Sequence, residues 1–312
     1  MTSPVRLSAE VQAARTRGTP IVALESSVLA QGLPIPANRT AANRMTGAVR
    51  HSGACPAVAA IVSGVPQLGL DGDDLERFLA REGVRKVSAR DLGVAVVTGG
   101  DGATTVAGTL AIASQADVDV FSTGGIGGVH RETAYDESAD LIELSRTSMV
   151  VVCAGAKSIL DLPATLERLD TLGVPVIGYR CDELPGFFTV STGLPLTARL
   201  DSVEDIARAF LAHRALGRES AMLVVVPPPA ELALDAQTVD GAVQEALTAA
   251  RQQKVRGPSV TPFLLTAIEK ATDGRSLVTN LALLEANALL AGEIAMALSG
   301  HRDGAPGARR NL

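Results

Sequence analysis

Short apolar runs alternate along this chain with longer stretches whose apolar positions recur at helical spacing. The runs at 21–24, 58–62, 94–98, 118–122, 149–154, 174–179 and 222–226 predict strands, most of them closing on Gly, Ser, Thr or Pro. They are apolar without alternation, as central strands are when helices cover both faces. Between them the helical period predicts helices over 3–17, 36–51, 73–82, 104–116, 163–172, 202–216, 235–253 and 261–272, and an Ala/Leu-rich one over 277–298. Strand and helix in turn specify an α/β fold: three α/β/α layers around a mixed, largely parallel central sheet. We expect one catalytic domain over 1–299 and a disordered tail over 300–312, where Arg, Gly and Pro displace apolar residues. Ligands of such sheets sit beyond the carboxyl ends of the strands. There the chain places Glu25, Asp101-Gly-Ala-Thr-Thr-Val106, Thr123-Gly-Gly-Ile-Gly-Gly-Val-His130 and Gly155-Ala-Lys157.

Bulk properties narrow the ligand. The net charge of -6 is mixed along the chain without a basic block, and aromatic residues are only 3% with no Trp. Neither a phosphate-backbone surface nor a stacking platform for single-stranded nucleic acid is expected, which leaves a small molecule. Cys55, Cys153 and Cys181 stand apart with no CxxC, which suits a reducing cytoplasm. No stretch reads as a signal peptide, and the apolar segments are read as breaking before the roughly 18 residues of a membrane span.

Lysine is scarce, with four among 28 basic residues, yet Lys157 follows the apolar run Met149-Val-Val-Val-Cys-Ala154. A free ammonium of pKa about 10.4 is neutral only about once in a few thousand at pH 7, and the lip of an apolar core recovers part of that loss. The placement suits covalent amine chemistry. Glu25 at a strand end, beside Ser26 and Ser27, serves either as a general acid or as a cap or ion-pair partner. Gly125-Ile-Gly127 lacks the last glycine of a dinucleotide fingerprint, and Gly155-Ala-Lys-Ser158 is not a P-loop. These turns either offer backbone N–H groups to a monophosphate, with Thr104 and Thr105 as hydroxyl donors, or merely permit tight corners. Asp136 and Asp140, four apart, share one face of a helical turn and fit either a hard divalent cation or a capped helix start. Lys86 is a phosphate partner or a solvated charge. The four histidines show no HxH or HExxH spacing, and His130 alone adjoins a glycine cluster. Asn280 and Asn287, seven apart, face one side of the last helix and need polar partners there.

Ala23-Leu-Glu-Ser-Ser27 with Gly32-Leu-Pro34, Gly102-Ala-Thr-Thr-Val106, Ser122-Thr-Gly-Gly-Ile-Gly-Gly-Val-His-Arg131, Ser138-Ala-Asp-Leu141, Val152-Cys-Ala-Gly-Ala-Lys-Ser-Ile-Leu-Asp161 and Thr261-Pro-Phe-Leu-Leu265 follow one another across nearly the whole chain. In that order the chain resembles the pseudouridine-5'-phosphate glycosidase family, also called indigoidine synthase A-like. The resemblance implies an α/β/α fold, pseudouridine 5'-phosphate as substrate, a divalent metal such as Mn2+, and a homotrimer. It implies Lys157 as the nucleophile forming a Schiff base with the opened sugar, Glu25 as proton donor, and Asp136 as metal ligand. Substrate contacts would come from Lys86, Val106, Ser138, Ala139 and Asp140, with Asn280 lining the site. Asp140 is further expected to carry protons during turnover. Two alternatives use the same residues: a class I aldolase-like lyase, and a non-catalytic sugar-phosphate binding module.

Overall fold

The structure is a computed structural model that describes residues 5–131, 135–255 and 260–303. Its strands are β1 (Arg6–Leu7), β2 (Ile21–Glu25), β3 (Cys55–Val62), β4 (Val65–Leu68), β5 (Arg85–Val87), β6 (Gly102–Thr104), β7 (Val120–Ser122), β8 (Val129–His130), β9 (Val150–Cys153), β10 (Leu160–Asp161), β11 (Val176–Tyr179), β12 (Ala198–Leu200) and β13 (Met222–Val225). Its helices are α1 (Ala9–Arg17), α2 (Ala37–His51), α3 (Gly72–Ala80), α4 (Leu92–Thr98), α5 (Val106–Ser114), α6 (Ala139–Arg146), α7 (Leu162–Thr171), α8 (Val203–Ala215), α9 (Ala236–Gln252), α10 (Val260–Ala271) and α11 (Arg275–Asp303).

Eleven strands form one sheet in the order β1-β4-β3-β2-β7-β9-β13-β11-β12, with β6 on β3 and β5 on β6. Within it β3 runs antiparallel to β4 and β6, and the other pairings are parallel, so the sheet is mixed and largely parallel as expected. At its centre Val22 pairs with Val120, and Val120 with Val150. Helices cover both sides. α11 packs along β2, β7 and β9 with α2 and α8 against it, while α5 packs on β2, β3 and β4 with α6 against it. Parallel register therefore delivers the carboxyl ends of β2, β7 and β9 to one edge of the sheet.

Five sequence expectations change. The run 94–98 is not a strand but part of α4, with Val94 61% and Val97 87% exposed and only Ala95 buried. A short β-branched run cannot be told from a helical one by apolarity alone, and the deciding signals flank it: a capping box between Ser88 and Asp91, and Gly99 in the left-handed region at the end. The strand that follows is β6, inside the segment expected to be a loop. The first helix begins at Ala9, capped by Ser8, after β1 has already formed; residues 3 and 4 lie outside the described residues. Finally, Arg275–His301 has the length and, at 1.6, the mean hydropathy of a membrane span, against the expectation that no segment would. Its Leu283, Leu284, Ala288, Ala291 and Ile294 are buried against the sheet and α2, which accounts for the apolar composition. Because α11 continues to Asp303, the first residues of the expected tail are helical; 304–312 lie outside the described residues.

Candidate active site

A cavity of about 540 Å3 opens at the carboxyl ends of β2, β7 and β9. Beyond the sheet the two glycine turns zip together. Ala154 N donates to Gly124 O at 2.9 Å, Ile126 N to Gly155 O at 3.1 Å, and Lys157 N to Ile126 O at 3.1 Å. Lys157 thus enters the cavity half-buried, and its Nζ donates to Gly125 O at 2.8 Å.

Glu25 ends β2 and is 6% exposed in the same cavity. β2 and β7 pair Leu24 with Ser122, so the next residue of each strand, Glu25 and Thr123, also become neighbours. Thr123 Oγ1 donates to Glu25 Oε2 at 2.6 Å and the Ser27 hydroxyl donates to Oε1. Among the described residues Glu25 caps no helix and has no salt bridge. Lys86 on β5 is an exposed residue that also lines the cavity. Desolvation by the surrounding protein lowers its pKa, helped by the Lys157 ammonium and opposed by the carboxylates of Glu25 and Asp140.

Asp140 is 6% exposed, and both of its oxygens are engaged: Oδ1 accepts from Ala107 N at 3.0 Å and Oδ2 from Gly127 N at 2.8 Å. It ties the start of α5 to the first glycine turn. Ser138, the N-cap of α6, accepts from Asp140 N. The helix begins at Ala139, so Asp136 lies before it and does not share a helical face with Asp140. Thr105, Val106, Ser138, Ala139, His130 and Asn280 all line the cavity. Thr104 does not: it is fully buried, its hydroxyl donating to Ala59 O at 2.8 Å and bonded to the Thr109 hydroxyl at 2.9 Å. On α11, Asn287 Nδ2 donates to Thr123 O at 2.9 Å, whereas Asn280 keeps a buried Oδ1 with no partner in the cavity wall.

The sequence reading missed Thr123 as a partner of Glu25, Gln31 on a π-helical turn (Val28–Gly32), and Phe187. Gln31 Oε1 is buried at the cavity wall with no partner among the described residues. π-Helical turns recur at functional sites but leave no sequence signature of their own.

Among the described residues no three His, Cys, Asp or Glu side chains gather to hold a metal ion. Asp136 presents an exposed carboxylate to the cavity. One such group does not make an all-protein cage. It does fit a Mg2+- or Mn2+-type ion that keeps most of its waters and takes further oxygens from a phosphorylated substrate.

The sequence profile of indigoidine synthase A-like proteins matches residues 10–297. A pseudouridine-5'-phosphate glycosidase of Gemmatimonas aurantiaca is 66% identical over 94% of this chain and 96% of the relative. That of Herpetosiphon aurantiacus is 51% identical over 94% and 97%. Among solved structures, the prealnumycin C-glycosynthase AlnA in complex with ribulose 5-phosphate superposes with a TM-score of 0.88 at 40% identity, covering 96% of this chain and 99% of that one.

Proposed function

The chain belongs to the indigoidine synthase A-like family, and we propose that it reversibly cleaves the C–C glycosidic bond of pseudouridine 5'-phosphate to uracil and ribose 5-phosphate. It is a C-glycosidase with a sugar-phosphate substrate. One observation carries the mechanism: an amine, a buried carboxyl group and a second cation, Lys157, Glu25 and Lys86, line a single cavity.

Uracil is attached through C5, so simple heterolysis would strand an electron pair on carbon rather than on nitrogen or oxygen. Lys157 avoids this. Glu25 delivers a proton to the ring oxygen as the furanose opens, and Lys157 Nζ bonds to C1'. After C5 is protonated, the nitrogen lone pair forms C1'=N while the C1'–C5 pair returns to the pyrimidine ring. Water then hydrolyses the iminium, releasing ribose 5-phosphate and restoring the amine. The Ser27 and Thr123 hydroxyls hold the Glu25 carboxyl group in one orientation for its transfer. Lys86 and the turn at Thr105 and Val106 grip the phosphate, so that binding energy remote from C1' aligns the opened sugar. Asn280, with its unpartnered acceptor, and His130 complete the wall around the substrate.

Asp136 is the residue that would hold a divalent ion, Mn2+ in this reading, which when bound supplies positive charge beside the phosphorylated substrate. Asp140 acts here as a clamp on the glycine turn rather than as a proton carrier, since backbone N–H groups occupy both its oxygens. A cytoplasmic homotrimer belongs to the same reading and is checked by sedimentation.

The deciding experiment incubates the protein with pseudouridine 5'-phosphate and Mn2+, with and without chelator, and follows uracil by chromatography. Uracil release that falls on chelation is expected, together with a pentose-phosphate mass increment on Lys157 after borohydride reduction with ribose 5-phosphate. A wild-type protein that releases no uracil, or gains no such mass, refutes the mechanism.

A further inference from the structure

We propose that Phe187 is a positioning residue: it clamps Gly125 so that the Gly125 carbonyl holds the Lys157 nitrogen from free amine through to iminium. The proposal rests on Lys157 being the nucleophile. Phe187 has φ +67°, a left-handed conformation that bulky side chains avoid, although a glycine, Gly186, precedes it and is not the residue in that region. Core filling alone does not call for that backbone. What it achieves is visible at Gly125, where an added Cβ would stand 2.6 Å from Phe187 Cδ2, 2.7 Å from Cε2 and 3.0 Å from Gly155 O. The ring and the Gly155 carbonyl together close the space a Gly125 side chain would take, and Phe187 N donates to Ala154 O at 3.2 Å, joining the loop to the Lys157 turn. Phe188 packs edge-on behind the ring, with centroids 4.7 Å apart.

The gripped residue is the one whose carbonyl accepts from Lys157 Nζ at 2.8 Å. As a neutral amine, Lys157 donates one N–H there and aims its lone pair elsewhere. In the direction that starts from ribose 5-phosphate, addition to the aldehyde carbon C1' forms the N–C bond, and loss of water leaves an iminium that still carries one N–H. The same carbonyl accepts from that N–H, its dipole facing the cation. A carbonyl free to rotate would lose this alignment.

The test measures the rate of borohydride trapping against ribose 5-phosphate concentration, by intact mass, in wild type, Phe187→Leu and Gly125→Ala, with thermal unfolding alongside. Gly125→Ala pushes the ring and the carbonyl apart from the other side, so it tests the clamp should Phe187→Leu fold poorly. In folded variants the adduct should form about 10- to 100-fold more slowly, with half-saturation by ribose 5-phosphate little changed. A merely structural role would not lower the trapping rate of folded protein while leaving its half-saturation in place. Trapping at the wild-type rate in both folded variants overturns the clamp alone. No adduct on wild type overturns the Lys157 reading and the clamp with it.

Discussion

Replacing Asp140 by Asn removes one charge and changes little volume, which makes it a sharp probe of what this carboxylate does. Asp140 is 6% exposed and accepts two backbone N–H groups, from Ala107 at 3.0 Å and Gly127 at 2.8 Å. An amide offers one of them an oxygen and turns an NH2 group on the other. The lost charge-assisted bond costs about 1.5–3 kcal/mol, and the buried N–H left facing a donor costs about 1–3 kcal/mol more. Burial leaves little solvent to screen either loss. A total of about 2.5–6 kcal/mol lowers Tm by about 4–10 °C in a domain of this size. Thermal unfolding and uracil release would be measured on the same preparation. Asp140→Asn should melt early, and Asp140→Glu should fare no better: both carboxylate oxygens already stand at hydrogen-bond distance, 3.0 Å and 2.8 Å, from donors on two segments, and one more methylene would carry them past that register. An Asp140→Asn protein with wild-type Tm and no turnover would refute the clamp and restore the proton carrier expected from sequence.

Three further outcomes follow from the site. Lys86→Ala should raise KM for pseudouridine 5'-phosphate with a much smaller change in kcat; an unchanged KM removes Lys86 from the phosphate grip. Because burial lowers the Lys86 pKa below the usual 10.5, its charge is lost early as pH rises. KM should therefore climb on the alkaline side in wild type and not in Lys86→Arg. The sign for stability is opposite: the unfolded chain holds that proton longer, so Lys86 by itself makes the fold more stable as pH rises from its lowered pKa towards 10.5. Thr123→Val removes one of two hydroxyl donors to Glu25 and should lower kcat about tenfold with little change in KM, measured by uracil release. Cys153, fully buried with its thiol pushed up to about 12, should resist iodoacetamide at pH 7–8 until the protein unfolds, by peptide mapping; rapid labelling of the folded protein would contradict its burial.

How much of this was legible in the sequence depends on the range of the interactions involved. β2, β7 and β9 are buried on both faces, which leaves a continuous apolar run that announces itself locally, and the residues just beyond such runs, Glu25 and Lys157, were found for that reason. α4 defeated the same logic, because four of its seven residues are valine or threonine while its burial is slight. The backbone contacts of Asp140 were not legible, since its two donors sit at positions 107 and 127, and only folding brings them to one carboxylate. Thr104 and Thr105 look equivalent in sequence. The register of β6 against β3 turns the first inward to Ala59 and lets the second cap α5 at the cavity edge. Phe187 lies furthest from what a linear reading reaches: its importance rests on a backbone angle and on contact with a glycine in another loop. Residues whose chemistry is carried by their own type at a strand end are readable one segment at a time. Those that act by fixing a neighbour are not, because the constraint resides in the pair, and in this site the pairs join segments that only the parallel sheet makes adjacent.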